Sequence, residues 1–223
     1  MKKQKKKVKK GFIKFCVIIL ILFGIGNLVY YGFGHNIKNI YVLNNNYLSD
    51  QEIIDLAGLN NYPNFYKVSS SSIKKKLKSN ILVKDVKIKK RLFNKLYIYV
   101  DEYEILFYNQ NTSKYVLENK KEISLNGIVV PTLINYVPDT KYDIFVNKYI
   151  LLDNKVKQKI SEIKYDPNTI DEDRFFLYMN DGNYVYITLT KMELLNKYND
   201  AITKFEGKKG TLYLDSGNYF EIR

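Results

Sequence analysis

The chain has 223 residues, 46% hydrophobic and 15% aromatic, with 36 Lys and Arg against 23 Asp and Glu for a net charge of +13. Its single cysteine, Cys16, excludes an intrachain disulfide, so any domain outside the cell must rest on a packed core. The charge is uneven: residues 1–14 hold eight lysines and no acid, residues 35–103 twelve basic and six acidic side chains, and residues 104–223 are near neutral, which excludes a nucleic-acid surface running along the chain.

Residues 15–33 (FCVIILILFGIGNLVYYGF) carry no charge and one polar amide, Asn27. As a helix the stretch reaches about 28 Å, close to the hydrocarbon thickness of a bilayer. Positive flanks stay cytoplasmic, so a single-pass protein is expected, N-terminus inside and C-terminus outside. Topology and anionic inner-leaflet lipid then account for the basic tail, and no nucleic-acid partner is expected. A cleaved signal peptide needs a shorter apolar run followed by small residues. Here bulky Leu28, Val29, Tyr30, Tyr31 and Phe33 stand in that place. The expected divisions are a tail 1–14, a span 15–34, a first outer domain 35–103 and a second 104–223.

In the first outer segment, residues 37–43 alternate at Ile40 and Val42 and predict a strand, followed by an Asn44-Asn45-Asn46 turn. Ser49 and Glu52 have capping-box spacing; the helix they open carries Ile53, Leu56 and Ala57 and stops at Gly58. Ser69 to Ser72 cap a second helix with Ile73, Leu77 and Ile81 at i, i+4 and i+8 and lysines opposite. Two period-2 strands follow. Residues 83–89 set Val86 and Ile88 against Asp85, Lys87 and Lys89, and residues 96–101 place Leu96, Ile98 and Val100 inward. The order is β-α-α-β-β, a two-layer unit.

In the second outer segment, residues 105–108, 115–118, 122–125 and 128–133 predict strands, with Pro131 marking an edge or an end. Asp153 or Asn154 is expected to cap a helix carrying Val156, Ile160 and Ile163. Asp181-Gly182 between two aromatic runs is the strongest hairpin signal. Thr190 and Glu193 suggest a second capping box, opening a helix with Met192, Leu195, Tyr198, Ile202 and Phe205. Residues 211–222 close the chain as one bulged strand or a tight hairpin. The fold class expected is α+β: a transmembrane helix, a β-α-α-β-β domain, then a mainly antiparallel β domain with one or two packed helices.

The β-α-α-β-β order directly after one span resembles a POTRA domain, and more narrowly the FtsQ/DivIB family of bacterial cell-division proteins. The matching positions are Ile40-Tyr41-Val42, Ser49 to Ile53, Ile73 to Leu77, then Val83, Val86, Ile88 and Lys90, then Leu96, Ile98, Val100 and Glu102. The family's Gly after the first strand is replaced by Asn44 or Asn45, and its Pro before the last strand by Phe93 or Asn94.

Chemistry-bearing clusters are sparse. His35 is the one histidine, and Asp171-Glu172-Asp173 reads as a solvated loop. No enzyme, cofactor, metal or small-molecule substrate is expected. The resemblance implies a non-enzymatic scaffold at the division septum, binding membrane-anchored partners of the FtsB/DivIC and FtsL kind, with septal wall synthases as further partners. Docking by strand addition is expected near the last strand, at Thr211, Tyr213, Leu214, Ser216, Gly217, Tyr219 and Phe220. Lys74, Lys75, Lys76, Lys78, Lys87 and Lys89 are candidates for the membrane surface. The alternatives are another anchored POTRA-type secretion or assembly protein, and a cell-wall-modifying enzyme.

Overall fold

The computed structural model describes residues 10–32 and 35–223; the lysines at 2, 3, 5, 6, 7 and 9, and Phe33, lie outside the described residues. Helix α1 (Lys10–Gly32) is apolar around its whole circumference. Its residues from Gly11 to Tyr31 are long and apolar enough to cross a membrane, and its side chains stand exposed, Leu20 at 68% and Phe23 at 71%. A helix greasy on every side requires an apolar solvent or a thick core. The chain forms two compact units that divide between Glu102 and Tyr103, α1 belonging to the first.

Beyond α1 the first unit runs β1 (Asn39–Leu43), α2 (Asp50–Ala57), α3 (Ser70–Leu77), β2 (Val83–Arg91) and β3 (Lys95–Glu102). The sheet order is β1-β3-β2, with β1 parallel and β2 antiparallel to the central strand. The caps form as the sequence predicts. Ser49 accepts from the Glu52 amide, Glu52 accepts from the Ser49 amide, and Gly58 ends α2 in the left-handed region at φ 72°. Asn44 also takes positive φ, 68°, where the resembling family has glycine.

Ile53, Ala57, Ile73, Leu77, Leu96, Ile98 and Val100 make the core of this unit. Two expectations are corrected. Leu56 is 38% exposed and points away from that core. Ile81 lies beyond the end of α3 at Leu77, so it adds no turn to the helical stripe. Glu102 then ties sheet to loop: its buried carboxylate accepts the backbone N–H groups of Asn46, Tyr47 and Leu48 at 2.8, 2.7 and 3.1 Å.

The second unit contains β4 (Ile105–Asn109), β5 (Lys114–Leu117), β6 (Glu122–Ile123), β7 (Thr132–Leu133), α4 (Asp139–Ile150), α5 (Asn154–Lys157), β8 (Ile160–Tyr165), β9 (Arg174–Met179) and β10 (Tyr184–Thr188). A 3₁₀ helix (Leu189–Lys197), α6 (Tyr198–Thr203), β11 (Gly210–Tyr213) and β12 (Tyr219–Ile222) complete it. Among the described residues one nine-stranded sheet results, in the order β12-β11-β10-β9-β8-β7-β4-β5-β6. Phe107, Phe145, Tyr149, Phe175, Ile187, Leu195 and Tyr198 lie at its centre, each at most 1% exposed.

Four predicted elements differ here. The helix expected through Val156, Ile160 and Ile163 stops at Lys157, and both isoleucines belong to β8. A bulge between Ile160 and Glu162 puts both on the inner face at a spacing of three, which imitates helical periodicity. The Thr190–Glu193 capping box does not form: Thr188 is the N-cap, and the Thr190 hydroxyl meets the Thr188 hydroxyl at 3.0 Å. Leu189, Met192, Leu195 and Tyr198 are all buried, every third residue, which is the 3₁₀ repeat. The strands expected over 122–125 and 128–133 shrink to two residues each.

Candidate partner-docking edge

The expected docking residues fall on three elements. Thr211 and Tyr213 lie on β11, with Leu214 just after it; Ser216 and Gly217 are in the following turn; Tyr219 and Phe220 are on β12. β11 pairs with β10 on one side and β12 on the other, so it offers no open edge. This corrects the placement of the edge: the terminal strand of the sheet is β12.

The backbone directions follow from the ladder. Gly210 N–H donates to the Asn183 side chain at 3.0 Å and Leu214 N–H to the Tyr186 carbonyl at 2.8 Å, both on the β10 side. On the other side Arg223 N–H donates to the Lys209 carbonyl at 2.9 Å. Bonded and non-bonded pairs alternate in an antiparallel ladder. Glu221 and Tyr219, opposite Thr211 and Tyr213, therefore bond inward, and Phe220 and Ile222 direct their N–H and C=O groups away from the sheet.

A polar knot holds this hairpin to the rest of the unit. Asn183 is fully buried, and its amide donates to Asp181 at 3.1 Å and to the Tyr198 hydroxyl at 3.3 Å. The Tyr198 hydroxyl in turn donates to the Asp181 carboxylate at 2.9 Å. Burial, together with the acceptor Asp181, pushes the Tyr198 phenol above its ordinary range, so it stays a donor. Gly210 permits the close approach of β12: a Cβ there would lie 2.0 Å from the Glu221 carbonyl oxygen. Below the turn, Lys191 donates to the Asp215 carbonyl at 2.6 Å, and the Asp215 carboxylate accepts from the Ser216 amide at 2.7 Å.

The outer face of these last strands is aromatic. Ring centroids run Phe176–Tyr186 at 4.5 Å, Tyr186–Tyr213 at 5.4 Å and Tyr213–Tyr219 at 4.6 Å, the last pair nearly parallel at 12°. Arg174 lies over Tyr186 and Arg223 over Tyr184, at 4.5 and 4.2 Å. Tyr213 donates to Glu221 at 3.0 Å, a bond that raises its phenol above the usual range. On the opposite face Phe220 stacks on Phe205 at 4.2 Å. Beside it lies a recess of about 250 Å³ lined by Leu194, Tyr198, Ala201, Leu212 and Leu214. The far end of the sheet, β6, is only two residues long, and short edge strands resist pairing.

Several of the candidate membrane lysines have partners inside the first unit. Lys74 and Lys78 both pair with Asp85 at 2.9 Å, which holds that carboxyl well below the usual carboxylate range. Lys76 donates to the Ala57 carbonyl at 3.3 Å, where α2 ends, and Lys89 lies over Tyr99 at 5.1 Å. Lys75 and Lys87 are exposed. The acidic trio at 171–173 is likewise engaged: Lys141 pairs with Asp173 and, at 3.7 Å, with Glu172. Helix α4, which no expectation covered, fills the core with Phe145, Val146 and Tyr149; its sequence signals are that i, i+1, i+4 stripe with Asp139 in the first turn and Lys148 in the last, while Pro138 at its N-cap offers no side-chain acceptor.

Comparison with known proteins adds to this geometry. A family described as "POTRA domain, FtsQ-type" matches residues 35–103. The chain is 32% identical to the cell division protein DivIB of Bacillus subtilis (strain 168), over 98% of this chain and 86% of the relative. It is 29% identical to the cell division protein DivIB of Bacillus anthracis, over 98% and 85% respectively. The major extracytoplasmic domain of the trans isomer of DivIB from Geobacillus stearothermophilus aligns with a TM-score of 0.39 at 24% identity, covering 46% of this chain and 92% of that one.

Proposed function

This chain belongs to the DivIB family of cell division proteins, and from that premise we propose that it is a non-enzymatic scaffold which captures a partner strand on β12. The partners are membrane-anchored division proteins of the FtsB/DivIC and FtsL kind, with septal wall synthases recruited alongside. The chain works as a single-pass protein, its N-terminus in the cytoplasm and its two outer domains, 35–103 and 104–223, at the septum.

One observation carries this reading: β12 ends the nine-stranded sheet with the backbone groups of Phe220 and Ile222 turned outward. Strand addition uses such groups for affinity and alternating side-chain pockets for choice. An added strand would set one row of side chains against the aromatic face at Tyr213 and Tyr219 and the other beside the recess at Leu212 and Leu214. The edge also lacks two common guards, lysine and proline. β2, an edge of the smaller sheet, carries Lys84, Lys87, Lys89, Lys90 and Arg91, whereas β12 reads Tyr-Phe-Glu-Ile with no lysine or proline. Thr211, Tyr213 and Leu214 then act from the strand behind, as supports for the edge and walls of the two side-chain rows.

The test is pull-down of the DivIC-like and FtsL-like partners by the full chain and by a Phe220→Lys, Ile222→Lys double variant. Capture by the parent and loss by the variant support the reading. Equal capture by both overturns it.

A further inference from the structure

The hairpin joining β2 to β3 carries two exposed apolar residues at its tip: Leu92 is 82% exposed and Phe93 60%. Its loop is the three residues Leu92 to Asn94 between the paired Arg91 and Lys95, with Phe93 and Asn94 at φ 62° and 55°. Asn94 is the foot of the turn. It is 4% exposed, its amide donates to the Asn36 carbonyl at 3.0 Å, and its own carbonyl accepts the Lys38 N–H at 3.0 Å. The apolar tip is thus fastened to the segment that leaves the span.

That fastening bounds how far the tip can stand from the end of α1. α1 ends at Gly32 and the bonded carbonyl belongs to Asn36, four residues on. At no more than about 3.6 Å per residue, Asn94 stays within roughly 18 Å of the helix end by any path the chain takes. Val29 of α1 lines one recess with Phe65, Tyr66 and hairpin residues 90–94. Cationic side chains collar the tip, Lys89, Lys90 and Arg91 before it and Lys95 after it. Lys90 braces the collar from within, donating to the carbonyls of Phe65 and Val68 at 2.7 and 2.6 Å, while Arg91 is exposed.

Exposed apolar residues with a basic rim, tethered beside a membrane span, have the chemistry of an interfacial anchor: the side chains enter the acyl boundary and the cations meet anionic headgroups. We propose that Leu92 and Phe93 insert into the outer leaflet of the membrane and that Arg91 and Lys95 bind anionic phospholipid there. The first domain is then held to the bilayer at two points, the span and the hairpin tip. Of the lysines on and just after α3, Lys74, Lys76 and Lys78 have partners within the domain.

The chain contains no tryptophan, so Leu92→Trp creates a single reporter at a position with little to disturb. The full-length variant is reconstituted into vesicles of phosphatidylglycerol and phosphatidylethanolamine with brominated acyl chains. Brominated lipid is expected to cut the emission at least twofold, and replacing phosphatidylglycerol by phosphatidylcholine, or adding Arg91→Glu, to halve that quenching. Phe93→Trp should report the same. Emission untouched by brominated lipid but fully quenched by aqueous acrylamide overturns the proposal. So does emission shielded from both quenchers, which would mean that protein covers the tip, and so does quenching indifferent to lipid charge and to Arg91.

Discussion

Replacing Ile222 by proline separates the outer hydrogen-bonding side of β12 from the inner one. The Ile222 N–H points away from β11, and its side chain is 51% exposed, so proline removes no bond that the fold uses. Proline is tolerated on edge strands when its missing N–H faced solvent. The expected loss of stability is therefore about 1 kcal/mol or less. Glu221→Pro, one residue earlier, is the internal reference. There the N–H faces Thr211, so the change deletes a ladder bond worth about 0.5–1.5 kcal/mol, leaves its acceptor unpaired at about 1–3 kcal/mol, and also removes the Tyr213–Glu221 bond. Partner binding should show the reverse emphasis. A partner carbonyl left without the Ile222 donor costs about 1–3 kcal/mol, which is about 5- to 150-fold in Kd. Chemical denaturation gives the stability, and titration of the full chain with the DivIC-like partner gives the affinity. If Ile222→Pro binds as tightly as the parent, or unfolds as readily as Glu221→Pro, the assignment of inner and outer sides is wrong.

Other consequences follow from the same geometry. Gly210→Ala places a methyl group 2.0 Å from the Glu221 carbonyl, so β12 should detach at a cost of about 1–3 kcal/mol, read as faster amide exchange at Tyr219 and Glu221; unchanged exchange would contradict the close pairing. Asn183→Ala leaves the Gly210 N–H buried without its acceptor and strips Asp181 and Tyr198 of a donor, and should cost about 2–4 kcal/mol by denaturant titration. A loss under about 1 kcal/mol would mean that the knot does not hold the hairpin. For Asp85, the bonds from Lys78 and Lys74 depress the folded-state pKa below the unfolded value of about 3.9, so its contribution is present above that pH and fades as pH falls through the folded value. Asp85→Asn should thus flatten the acid limb of the first unit's stability curve below about pH 4, by a small margin that salt erases; an identical acid limb at low salt would count against the pairing.

Local signals were legible wherever one residue type has one structural use. Ser49 with Glu52, Gly58, and Asp181-Gly182 each predict a cap or turn that the structure contains. The alternation of Leu96, Ile98 and Val100 predicts the central strand of the smaller sheet, and the β-α-α-β-β order predicts its fold. Misreadings arose where two periodicities coincide. A bulged strand put Ile160 and Ile163 three apart, as a helix does, and a 3₁₀ turn placed Met192 and Leu195 where an α-helical stripe also would. The candidate docking edge was only partly legible, for a different reason. Alternation along residues 211–222 marks strands but does not tell an interior strand from a terminal one. That depends on β11 pairing parallel to β10 across the 3₁₀–α6 crossover, a long-range choice with no local signature.

Amide hydrogen exchange of β12, residue by residue, with and without the DivIC-like partner, addresses the scaffold claim most directly. Phe220 and Ile222 should exchange at least tenfold more slowly in the saturated complex, while Tyr219 and Glu221, already bonded to β11, change little. Exchange at Phe220 and Ile222 that stays as fast in the complex as in the free protein would contradict strand addition at this edge.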